Sequence, residues 1–224
     1  AALVMMLISG VLATTIPRHQ PAHSASYGQL LKSLWTLLSE QPVLRRRAFY
    51  QACMFATFSL FWTAAPLELA RNYGLSQSQI ALFALVGAIG AIAAPFAGRL
   101  ADAGHTRIAS LCAMLFAALS FLPGLVESSY AVIAMALTGV VVDFCVQMNM
   151  VVGQRAVYAL DAKSRSRLNA LYMTSIFLGG ATGSVIASAL YDHGGWAWIV
   201  IAGSAFPLLA LLFFLKNSAR SRSV

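Results

Sequence analysis

Apolar residues in this chain come in long unbroken runs, not in alternation. A helix crossing a hydrocarbon core of about 30 Å needs about 20 predominantly apolar residues. Six stretches meet that length, at 48–70, 78–97, 108–126, 130–152, 168–190 and 196–215. Barrel strands would be about half as long and would alternate in polarity. The pattern therefore predicts an all-α polytopic membrane protein, a bundle of six transmembrane helices.

A seventh apolar run, 1–16, is shorter, and no basic region precedes it as a signal peptide would require. It reads as the end of a truncated transmembrane helix. The expected organisation is then this partial helix at 1–16, a linker at 17–47, the six-helix bundle at 48–215 and a tail at 216–224. The linker opens on a turn-prone stretch, Pro17 to Pro21. Leu30, Leu31, Leu34, Trp35, Leu37 and Leu38 then recur at helical spacing. That is an amphipathic helix, lying in the membrane interface or packed on the protein's own surface. Either way it connects two bundles.

Charge sets the orientation. Of fifteen basic residues, all but Arg71 fall in alternate connections. By the positive-inside rule those connections are cytoplasmic, which puts the linker and the C-terminus on one side. Six spans demand the same. Composition agrees: 59% of residues are hydrophobic and 10% charged, against about 25% charged in a soluble domain. A soluble enzyme and a nucleic-acid binder are excluded, although the net charge is +8.

Small residues recur where helices need to approach closely. Gly90, Ala94 and Gly98 form one stripe, and Gly179, Gly183 and Ala187 another. Such stripes drive helix association in lipid. Pro66, Pro95, Pro123 and Pro207 sit near span ends and read as helix termini.

Asp143 is the conspicuous polar residue, near the middle of the fourth span between Val142 and Phe144. A charge at this depth is costly and faces the bundle interior or a wet cavity. Gly139, Asp143, Gln147, Met150 and Gln154 share one helical stripe. Asp143 suits a proton carrier that loads and unloads during transport, or a structural carboxyl bonded to a neighbouring helix. Asn149 lies on another face, placed to bond across an interface. Thr57 either lines a cavity or bonds back to its own helix, and Glu68 reads as a solvated rim charge. Asp102 and Arg107 flank the turn between the second and third spans, where they can clamp it.

Gly98, Leu100, Asp102 and Arg107 resemble the short-loop signature of the major facilitator superfamily, in the copy carried by the C-terminal half. The basic residue the family carries after the Asp is Ala103 here, and its later glycine falls one place early, at Gly104. The stretch from Asp143 through Gln147, Asn149 and Gly153-Gln154-Arg155, then Ser166 to Met173 and Gly179-Gly180, is similar to the drug and sugar efflux branch. The resemblance spans essentially the whole chain. It implies efflux of a small molecule in antiport with protons, with Asp143 handling the proton and Gln147 and Thr57 lining the substrate cavity. Gly98, Asp102 and Arg107 would form the inner-gate loop. It also implies an N-terminal six-helix half as partner, alongside membrane lipid, and a bacterial inner membrane as location. A rival reading is a truncated membrane protein that inserts without transporting. A membrane-embedded enzyme would need more ionisable residues at one depth than Asp143.

No cofactor is expected. His19 and His23 have helical metal spacing but sit around Pro21 without a third ligand. The chain has no GxxxxGK[ST], GxSxG or HExxH pattern.

Overall fold

The computed structural model describes residues 2–15, 26–125 and 130–220. His19 and His23 lie outside the described residues. The described residues are helical and contain no strand. The chain divides into two compact units, one up to Trp35 and one from Thr36 onward.

The first unit holds α1 (Ala2–Thr15), an apolar helix of 14 residues. It also holds the start of α2 (Tyr27–Glu40), which Ser26 and Gln29 open by reciprocal side-chain to backbone bonds. Trp35 is exposed, while Leu37 and Leu38 pack against the cluster around Leu44 and Tyr172.

The second unit is the bundle. It comprises α3 (Pro42–Arg71), α4 (Gln77–Gly87), α5 (Ala93–Asp102), α6 (Thr106–Leu119), α7 (Ala131–Tyr158) and α8 (Arg165–Arg220). A 3-10 segment, Ala88–Ile92, joins α4 to α5 so that the two make one 26-residue crossing. Local chemistry sets the starts: Pro42 opens α3, and a capping box of Ser76 and Gln79 opens α4.

Among the described residues, five helices are long and apolar enough to cross a membrane. The last has 56 residues, more than twice what one crossing needs. It breaks at Gly195, whose φ of 61° and ψ of −153° lie in a region open essentially to glycine alone. The two arms, 165–194 and 196–220, fold back on each other. Gly183 of the first arm lies against Ala56 of α3, and Gly203 of the second accepts a hydrogen bond from the next residue, Thr57. One level of α3 thus touches both arms, so α8 is a hairpin and supplies two of the six expected spans.

α3 is the hub of this unit. Phe61, Met54 and Leu69 pack with Phe121, Met114 and Val142 in the main core. Two smaller clusters flank it, one around Leu44, Leu168 and Tyr172, the other around Leu60, Ala187 and Ile199. The glycine stripe of α8 sits where expected, with Gly179 against Ala52 and Gly183 against Ala56, backbone on backbone.

Several expectations are corrected in detail. Helices run past the apolar stretches, α3 starting at Pro42 and α7 ending at Tyr158. Hydropathy stops at arginines but helices do not, because long basic side chains reach back to water from inside the last turn. Pro66 and Pro207 lie inside helices, not at their ends.

Candidate functional site: a half-buried polar stripe on α7

The stripe on α7 faces α3 and the α4–α5 crossing. Asp143 is half-buried, and its Oδ1 accepts the indole N–H of Trp62 at 2.8 Å. Trp62 is held edge-on by Phe61 and Phe83, with ring centroids 5.2 Å and 6.0 Å away. On the other side the backbone of the α4–α5 crossing comes in close. A Cβ on Gly87 would stand 2.5 Å from Asp143 Oδ2, and one on Gly90 would overlap the Asp143 Cβ. Gly90, from the stripe read in sequence, admits the Asp143 backbone and Cβ, and Gly87, outside that stripe, admits its carboxylate. The 3-10 segment begins at the same level, immediately after Gly87.

One turn along, Gln147 is also half-buried. Neither its amide nor Asp143 Oδ2 has a hydrogen-bond partner among the described residues. Gln154, further along the stripe, has its amide nitrogen engaged. It donates to Tyr158 at 2.8 Å and to Asn169 at 3.3 Å, while Tyr158 donates to Asn169 at 2.6 Å. The stripe thus has an open upper part and a closed lower part.

A second polar layer lies on the buried face of α7. Asn149 donates to Gln51 Oε1 at 2.7 Å, and Gln51 donates to the Val146 carbonyl at 3.2 Å. Asn149 meets the expectation of bonding across an interface.

Thr57 is fully buried and donates its hydroxyl to the Gly203 carbonyl at 3.1 Å. It is a tie between α3 and α8 rather than a wall residue in this arrangement. The short loop also differs from expectation. Asp102 pairs with Arg155 of α7, not with Arg107. Gly98 makes room for that pair, since a Cβ there would lie 3.1 Å from an Arg155 guanidinium nitrogen. Arg107 points to a different pocket, beside Arg46 and Arg47.

At the far end Glu68 departs from the rim reading. It is buried, and its Oε2 accepts from Tyr191 at 2.7 Å and from Asn72 at 2.8 Å. The solvated pair there is Arg71 with Asp192, at 3.5 Å. Trp62, Gln51 and Tyr191 are the polar partners that sequence reasoning missed. The one available signal was general: a mid-span indole needs an acceptor for its N–H.

Antiparallel crossings gather Arg45, Arg46, Arg47, Arg107, Arg155, Arg165 and Arg167 at one end, while Arg71 stands at the other. Membrane-length helices, a polar stripe at mid-span and a one-sided arginine end define a multi-pass membrane bundle. The family profile described as "Major Facilitator Superfamily" matches residues 47–224, and the chain belongs to that superfamily. It is 34% identical over 224 residues, all of this chain, to "Uncharacterized transporter YgaY" of Escherichia coli O157:H7. It is 30% identical over 180 residues, 77% of this chain, to "Probable transporter SCO4007" of Streptomyces coelicolor. The chain spans 57% of the first relative's length and 40% of the second's.

Proposed function

We propose that this bundle is the C-terminal half of a proton-coupled exporter of small molecules, of the drug and sugar efflux kind. The arginine-rich end would face the cytoplasm of a bacterial inner membrane. One observation supports this above the rest: on a single stripe at mid-span, a carboxylate keeps one oxygen unpartnered and a glutamine one turn away keeps its amide unpartnered. An ionisable group at that depth faces the bundle interior or a wet cavity and marks a pathway. Asp143 is the proton-handling residue in this reading, and Gln147 offers a donor and an acceptor to substrate. In folds of this kind, sites sit near the midplane between two rocking halves. The partner half is then a second six-helix bundle. Asp102 and Arg155 brace the arginine-rich end when it is closed.

The test is transport in vesicles containing the full-length protein, driven by an imposed pH gradient. Asp143→Asn should abolish gradient-driven movement while leaving substrate exchange at equilibrium measurable. Gln147→Ala should raise KM for substrate and preserve the pH dependence. Unchanged gradient-driven transport in Asp143→Asn would remove that carboxyl from coupling.

A further inference from the structure

A second pocket lies at the arginine-rich end of the bundle, away from the α7 stripe. It measures about 220 Å³ and is lined by Arg46, Arg47 and Arg107 together with Val43, Tyr50, Phe214 and Asn217. Three helices supply it: the starts of α3 and α6 and the end of α8. Three arginines line it, and no Asp or Glu is among the lining residues. Neither described ion pair involves Arg46, Arg47 or Arg107. Arg47 is held in place by a 2.6 Å bond to Ser110. Beside the pocket, further into the helices, stand the exposed side chains of Phe49 and Phe213, packed edge to face at 5.1 Å.

A basic recess with an apolar flank, at the level where helices leave the membrane, matches one kind of ligand. We infer that this pocket holds the headgroup phosphate of an anionic membrane phospholipid, with its acyl chains along Phe49 and Phe213. Planar guanidinium forks suit phosphate oxygens. Uncompensated positive charge between membrane helices selects anionic over zwitterionic headgroups. The pocket has room for a phosphate and its glycerol linkage, and the apolar flank accounts for the chains.

The experiment uses the full-length protein in detergent, titrated with phosphatidylglycerol or with phosphatidylcholine of identical chains and read by native mass spectrometry. Phosphatidylglycerol should be retained about tenfold over phosphatidylcholine. Each guanidinium removed should weaken phosphatidylglycerol retention about fivefold, so Arg46→Gln/Arg107→Gln, about 25-fold weaker, should abolish the tenfold preference. Arg107→Gln alone, at an exposed position, should show the single step without risk to folding. Arg71→Gln, at the opposite end, should leave the preference intact. Equal retention of the two lipids by the unaltered protein would overturn the assignment, as would an unchanged preference in Arg107→Gln. Displacement of phosphatidylglycerol by millimolar inorganic phosphate would also overturn it, since the site would then belong to a free anion.

Discussion

Trp62 and Asp143, 81 residues apart in sequence, meet across α3 and α7, the indole N–H donating to Oδ1 at 2.8 Å. This bond fixes one oxygen and leaves the other directed at Gly87. A hydrogen bond to a charged group contributes ~1.5 kcal/mol, about a factor of ten. Trp62→Phe should therefore lower gradient-driven transport about tenfold with the fold intact. Transport at the unaltered rate would show that the carboxylate needs no orientation by the indole.

Gly183 separates packing from composition. Any side chain there meets the Ala56 backbone, which cannot yield as a flexible side chain would. Gly183→Leu should destabilise the bundle by ~1–3 kcal/mol, the usual range for overpacking, and lower the melting temperature in detergent. Gly28→Ala, with nothing within 4 Å of its Cβ, should leave the melting temperature unaltered.

The Asp102–Arg155 pair is solvent-exposed, and pairs of that kind contribute about 0–1 kcal/mol. Asp102→Asn should thus barely move the melting temperature yet alter transport, if the pair braces a closed end. The exchange Asp102→Arg with Arg155→Asp should recover transport. Equal recovery on pairing Asp102→Arg with Arg107→Asp would return the brace to Arg107.

Thr57 is tied to Gly203. Interhelical bonds in membranes average about 0.6 kcal/mol, so Thr57→Val should cost about that much stability and leave the substrate KM unaltered. A changed KM with unaltered stability would place Thr57 on the substrate path.

Asp161 gives a pH dependence outside the membrane. Its carboxyl is held below the ordinary range, first by the Ser164 side chain and then by the Lys163 backbone N–H at 2.9 Å. A lowered carboxyl stabilises its turn at pH above its unfolded value, and that contribution is lost as pH falls through the lowered one. Ser164→Ala should move the Asp161 titration, followed by carboxyl NMR, back toward the ordinary range.

The spans were legible in sequence because hydropathy and arginine placement are local properties, readable one segment at a time. The Gly90 stripe was legible too, although what it accommodates was not. Glu68 shows the limit. Its position near a span end suggested water, but its partner Tyr191 lies 123 residues away. Only the fold brings that hydroxyl to it. Arg155 shows the same: read as a loop residue, it became available to Asp102 once α7 continued to Tyr158. Long-range pairings are set by which helix faces which, and no local pattern encodes that.

The hairpin at Gly195 has a consequence for synthesis. α3 leaves the ribosome well before α8, yet both arms of α8 close on its Ala56–Thr57 level. Until those last helices enter the bilayer, that face of α3 is coated by lipid tails, with the Thr57 hydroxyl lacking the Gly203 acceptor. Assembly is thus completed from the carboxyl end, and nascent chains halted before Gly195 would hold the hub helix in place with its main seat still vacant.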